Sequence, residues 1–243
     1  MCVHTTREAV NFGERRNDEA PDILLLHYTG MESAQAALDW LCCAESGVSC
    51  HYFIDEAGSV SQLVPENLRA HHAGVGSWEG HTDINSRSIG IEIANGGHDM
   101  ALPDFPKPQM EAVLTLSTDI VARYQMKPNL VLGHSDIAPG RKIDPGENFD
   151  WAWLAINGVG HWVEPAPVQS GRYFQLGDVG EPIEALQSLL SLYGYGVDIN
   201  GNFDQKTKAV VEAFQRHFRQ ERVDGVADIS TIETLHTLLR ALE

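Results

Sequence analysis

The sequence predicts an α/β domain with a central mixed β-sheet flanked by helices, plus a small C-terminal three-helix domain. Three observations lead there. Short aliphatic runs alternate with helical stripes through the first two thirds of the chain. A Gly/Pro-rich stretch, Gly158 to Gly171, then dissolves the pattern into a connector. Beyond it the periodicity is helical only. The expected boundaries are 1-160 for the first domain, 161-175 for a linker and 176-243 for the helical domain.

Residues 22-27 read as a buried strand, because Ile23-Leu24-Leu25-Leu26 is an unbroken aliphatic run leading into His27. Ser33 is suited to cap a helix over Ala34 to Ala44. Ser49 to Ile54 alternates, and Ser59 to Val64 follows after the turn Asp55-Glu56-Ala57-Gly58, the pattern of a hairpin. In Ser88 to Ala94 the residues Ile89, Ile91 and Ile93 face one way, and Gly90, Glu92 and Ala94 the other. Glu92 is thus presented opposite the isoleucines, between two residues too small to cover it. Pro108 fits the first turn of a helix to Tyr124, with Met110, Val113, Leu114, Ser117, Ile120 and Val121 on one stripe. Residues 130-134 form a second short buried strand ending in His134. In the tail, Ile183, Leu186, Leu189, Leu190 and Tyr193 make a first helical stripe. Asn200 to Thr207 then recurs as Asp224 to Thr231, each copy a turn followed by an aspartate able to cap the next helix.

Composition narrows the function. Of 243 residues, 34 are acidic and 17 basic, a formal net charge of -17 that disfavours a nucleic-acid backbone or an anionic membrane as partner. No stretch approaches the ~20 apolar residues of a membrane span. Met1 to Ala20 lacks an apolar signal core, so the chain is expected to stay in the cytoplasm. Cys2 suggests the alternative of a lipid-anchored periplasmic form. The cysteines Cys2, Cys42, Cys43 and Cys50 make no disulfide framework. A zinc knuckle from Cys42, Cys43, Cys50 and His51 lacks the usual spacing, and buried or idle thiols are the better reading.

The segment Gly133 to Gly146 packs a histidine, two aspartates, a lysine and an arginine between chain breakers, directly after a strand. Such loops display chemistry rather than fill a core. His27 ends a strand in the same way. His27, His134 and Asp144 therefore make a candidate His, His, carboxylate zinc (Zn2+) site with one coordination position open to water. His51 divides evenly between supporting that site and plain packing. Trp151, Trp153 and Trp162 are expected to dock the two domains, and the tail carries no catalytic grouping of its own.

The motifs Leu26-His27-Tyr28-Thr29, Val48-Ser49-Cys50-His51-Tyr52, Ala70-His71-His72-Ala73-Gly74, Asn85 to Glu92 and His134 to Gly146 occur in that order over residues 20-160. Together they resemble the zinc-dependent N-acetylmuramoyl-L-alanine amidases of the type-2 class, relatives of peptidoglycan recognition proteins. The tail, with Asp178-Val179-Gly180, Leu186-Gln187, Tyr193-Gly194-Tyr195 and Phe214-Gln215, resembles a peptidoglycan-binding-like domain. The resemblance implies His27, His134 and Asp144 as zinc ligands, Glu92 as general base and Lys142 as the stabiliser of the oxyanion. It also implies cleavage between the muramic (or anhydromuramic) lactyl group and L-alanine of muropeptides, in cell-wall recycling. His72, Trp78 and Asn85 are expected to line the sugar and peptide cleft, and Arg141 to pair with a stem-peptide carboxylate. Two rivals remain: a non-catalytic peptidoglycan-recognition protein, which would be expected to lose a ligand or the base, and an exported or lipid-anchored amidase acting on intact wall. A peptidase of the H-E-x-x-H class is disfavoured, because that motif is absent.

Overall fold

The computed structural model describes residues 3–4, 7–16 and 20–242. Cys2, and with it the lipid-anchor alternative, lies outside them. In chain order the elements are β1 (Val3–His4), β2 (Phe12–Glu14), β3 (Ile23–Tyr28), α1 (Ala34–Leu41), β4 (Tyr52–Ile54), β5 (Val60–Gln62), β6 (Leu68–Ala70), α2 (Ile84–Arg87), β7 (Ser88–Ile93), α3 (Lys107–Tyr124), β8 (Val131–Gly133), α4 (His134–Ile137), α5 (Trp151–Ile156), α6 (Glu181–Tyr193), α7 (Gln205–Phe218) and α8 (Ile229–Arg240). The six-stranded sheet runs β1-β5-β4-β7-β3-β8, and β2 pairs with β6 apart from it. Only the β4/β5 hairpin is antiparallel within the large sheet, so it is mixed, with helices on both sides. Among the described residues no helix is long and apolar enough to cross a membrane.

Two local departures from expectation have simple causes. The first helix stops at Leu41 rather than Ala44. A short 3-10 turn follows and is closed by Gly47 at φ 66°, a left-handed geometry that favours glycine. The eighth strand ends at Gly133, and His134 opens a helical turn instead of finishing the strand.

The alternation of β3 and β7 sorts their side chains between two apolar clusters. Leu24, Leu26, Ile89, Ile91 and Ile93 join Met110, Val113, Leu116 and Ile120 of α3. On the opposite face Ile23 and Leu25, with Leu132 of β8, belong to one continuous buried cluster with Ile183, Leu186, Phe214 and Leu235 of the C-terminal helices. The three helices thus complete the second covering layer of the sheet as well as burying one another. At the junction Trp151 stacks on His217 at 3.8 Å between ring centroids, and Trp162 packs against both clusters.

The repeat seen in the tail has a structural meaning. Gln187 on α6 donates to Asn202 O and Thr207 Oγ1 and accepts from the Asn200 and Gly201 amides. Gln215 on α7 does the same with Val226 O, Thr231 Oγ1 and the Asp224 and Gly225 amides. Asp204 and Asp228 cap α7 and α8 by accepting from the Thr207 and Thr231 amides. Each fully buried glutamine therefore satisfies the backbone of the turn that starts the next helix. Replacing Gln215 by Met, of similar shape, leaves two amides and a carbonyl without partners. Unfolding in urea should show a loss of about 2–3 kcal/mol; an unchanged midpoint would deny the glutamine this role.

Candidate metal centre

Strand register builds the site. In the parallel β3/β7 pair His27 lies opposite Glu92, and in β3/β8 Leu26 lies opposite Gly133, so His134 follows beside His27. Both His27 and Glu92 belong to the sheet face that carries Ile23 and Leu25, at its carboxyl end, where ligand sites of such sheets gather. Asp144 returns to the same place because its carbonyl accepts the Ser135 amide at 2.9 Å, closing the loop after α4.

His27 Nδ1, His134 Nδ1 and Asp144 Oδ2 stand 2.9–3.1 Å from one another, all three residues buried. They are the only grouping of three or more His, Cys, Asp or Glu residues with converging ligand atoms among the described residues. Each imidazole is oriented from its far side. His134 Nε2 donates to Ala73 O at 2.9 Å, leaving the Nδ1 lone pair for the cluster. His27 Nε2 meets His72 Nδ1 at 3.0 Å, and His72 Nε2 faces Ser88 Oγ at 3.4 Å, which in turn donates to Ile84 O. Gly90 makes room for this arrangement: a Cβ there would lie 2.4 Å from the His72 ring. Two imidazoles, each held by an outer partner, and a carboxylate are a donor set suited to zinc.

Burial and mutual coupling dominate the electrostatics of these groups. Burial, reinforced by neighbouring His134, pushes the His27 pKa down to about 4, so the ring is neutral at pH 7. Burial would raise Asp144, but His134 and His27 outweigh it and hold the carboxyl well below the usual carboxylate range. Glu92 moves the other way, driven well up by burial and then by the charge of Asp144, with Lys142 opposing. Its Oε2 is sealed from solvent and accepts no hydrogen bond from the described residues. Glu92, His134, Lys142 and Asp144 line one cavity of about 430 Å³, whose lining also includes Met31, Trp40, Leu41 and Val48.

The residues expected to bind substrate are placed differently. Trp78 is a correction: it is fully buried and packs edge-on against Tyr193 and Tyr195 of the C-terminal domain, away from the cleft. Asn85 is another. Its Oδ1 accepts the His72 and Ala73 amides, so it shapes the loop that carries those residues. His72 borders the cavity but is buried, with Nδ1 turned toward His27. Arg141 lines the cavity while donating to the Ala73 and Val75 carbonyls. Trp40 was not anticipated. Its signal lies in α1, where Ala37 and Leu41 point inward and leave a tryptophan exposed on the cavity side.

The cysteine alternative does not form, since His51 is fully engaged elsewhere: Nδ1 accepts from the Gly90 amide and Nε2 donates to Leu68 O. Cys42, Cys43 and Cys50 are free thiols. Burial holds the His51 pKa down to about 3, whereas an unfolded histidine titrates near ~6.5. The unfolded chain therefore takes up a proton that the folded chain refuses, and stability is lost as pH falls from about 6.5 toward 3. His27 and Asp144 act in the same direction, and Glu92, whose neutral form is favoured, opposes them. The melting temperature of metal-free protein should fall steadily from pH 7 to pH 4; a flat or rising profile would contradict these assignments.

Comparison with known proteins agrees with this architecture. The family model described as N-acetylmuramoyl-L-alanine amidase matches residues 17–147, and a second model, described as a peptidoglycan binding domain, matches residues 179–235. The chain is 34% identical to the N-acetylmuramoyl-L-alanine amidase AmiD of Escherichia coli, over 96% of this chain and 89% of that protein. It is also 34% identical to the 1,6-anhydro-N-acetylmuramyl-L-alanine amidase AmpD of Citrobacter freundii, over 57% of this chain and 81% of that one. A solved complex of E. coli AmiD with the substrate anhydro-N-acetylmuramic acid-L-Ala-D-gamma-Glu-L-Lys superposes with a TM-score of 0.78 at 32% identity, covering 95% of this chain and 98% of that one. AmpDh3 of Pseudomonas aeruginosa, solved with anhydromuramic pentapeptide, gives 0.75 at 29% identity, covering 100% and 98%. With both of its regions matched and its sheet and helices superposed on these enzymes, the chain belongs to the N-acetylmuramoyl-L-alanine amidase family.

Proposed function

We propose that this chain is a zinc hydrolase that cleaves the amide between N-acetylmuramic or anhydro-N-acetylmuramic acid and L-alanine of peptidoglycan fragments, in cell-wall recycling. The observation that carries the reading is the convergence of His27 Nδ1, His134 Nδ1 and Asp144 Oδ2 within 3.1 Å, in the cavity that also holds the unpartnered carboxylate of Glu92. The likeness of nearly the whole chain to structures solved with anhydromuramyl peptides supports that substrate class.

His27, His134 and Asp144 would hold the ion. Bound there, zinc would keep a net positive charge, polarise the scissile carbonyl and lower the pKa of a water toward ~7. Glu92 is the general base. Its place on the cavity wall, with an oxygen that no described residue bonds, suits it to take the proton of the attacking water and return it to the departing alanine amine, the charge of a bound zinc favouring its ionised form. Lys142, two residues before Asp144 and on the cavity wall, donates to the oxyanion as the tetrahedral centre forms. Arg141 offers its remaining N–H groups to a stem-peptide carboxylate. Trp40 and Val48 supply an apolar wall for the uncharged parts of the substrate.

Glu92→Gln should retain one zinc per chain and lose about 10²–10⁴-fold in turnover of a defined anhydro-muropeptide, followed by mass spectrometry of the released peptide. Zinc loss in that variant would make Glu92 a ligand instead. Asp144→Ala should weaken zinc binding by more than ~100-fold in competition with a chelator. Full metal retention with full activity would remove Asp144 from the site.

A further inference from the structure

We propose that the C-terminal helices hold the metal-binding loop in place, with Tyr195 and His217 clamping Asp136 and thereby setting the position of His134. Asp136 lies on the short helix α4 that begins with His134, and its side chain is fully buried. Three donors converge on its carboxylate. Gly133 donates its amide to Oδ2 at 2.8 Å, fixing the turn from β8 into α4. The other two come from the C-terminal helices and their connections: Tyr195 OH donates to Oδ1 at 2.7 Å, and His217 Nδ1 to Oδ2 at 2.7 Å. A buried carboxylate costs far more to leave unpaired than a neutral group, so these partners over-determine where α4 sits.

The grip extends through the last turn of α7 and the turn that follows it. The His217 ring is sandwiched between Trp151 and Phe218, at 3.8 and 3.9 Å between centroids. Arg216 pairs with Glu147 at 3.5 Å, and Gln220 donates to Phe149 O at 2.7 Å. Arg216 and His217 of α7, with Gln220 in the turn just beyond it, therefore hold the chain on both sides of Asp144, from α4 to the start of α5. No donor of this set enters the metal cluster itself. Their effect on the ion runs through Asp136 and the loop, so they are positioning residues. Outer partners of metal ligands commonly govern affinity in this way. On this account the C-terminal helices are a working part of the hydrolytic unit, whatever they bind outside it.

The inference rests on the zinc reading above, and the test separates the two. Zinc affinity would be measured by chelator competition on full-length protein at 25 °C, alongside the melting temperature of the metal-free form. Tyr195→Phe, which removes one hydroxyl and keeps the ring, and His217→Leu should each weaken zinc roughly three- to tenfold. His217→Asn, whose Nδ2 can replace the lost donor, should restore most of that loss. Leu238→Ala, in the apolar core of the C-terminal helices and remote from Asp136, should lower the melting temperature without changing zinc affinity. Wild-type affinity in both Tyr195→Phe and His217→Leu would overturn the clamp, as would equal weakening by Leu238→Ala. Should His217→Leu fail to fold, Tyr195→Phe alone decides. A wild-type protein that binds no zinc would instead overturn the metal assignment.

Discussion

The parallel pairing of three strands, β8-β3-β7, is the constraint on which the site depends. Leu26 opposite Gly133 and His27 opposite Glu92 put His134, His27 and Glu92 in one row across neighbouring strands. A shift of register by one residue would turn His27 toward α3 and bury Leu26 where the cluster stands. The aliphatic runs that seal both faces of β3 forbid that slip, because each alternate residue already has an apolar partner layer. Hydrophobic burial is thus the source of the site's geometry here, and the loops add Asp144 and Lys142 to a row already fixed.

Around that row, polar groups turn inward in a consistent order. His134 is anchored by a backbone carbonyl and His27 by His72, which lies on the only residue type that leaves space for it, Gly90. Asn85 and Arg141 look like surface residues in the sequence but spend their hydrogen bonds on the loop holding His72 and Ala73. Among the described residues that line the cavity, Glu92 alone has a sealed oxygen with no partner, an arrangement a structural carboxylate would avoid.

Local pattern made much of this legible. Alternation in Ser88 to Ala94 put Glu92 opposite the isoleucines, and the caps Asp204 and Asp228 follow from residue type and spacing. Histidines at strand ends and a charged Pro/Gly loop pointed to a candidate metal site, and the amidase chemistry followed from the resemblance of the full set of motifs. What stayed hidden was tertiary. Nothing near Trp78 says that Tyr193 and Tyr195, more than a hundred residues on, will cover it. Nor does the stripe of α7 reveal that His217 leaves the helical core to meet Asp136. An apolar stripe specifies that a face will be buried, and leaves its partner to the packing of the whole chain.

A crystal structure of zinc-loaded protein, with anomalous data at the zinc edge, tests the central claim most directly. The account predicts one strong peak about 2.0–2.2 Å from His27 Nδ1, His134 Nδ1 and Asp144 Oδ2, with a water or hydroxide as the fourth ligand facing Glu92. A peak elsewhere in the protein, or Glu92 itself among the ligands, would contradict it.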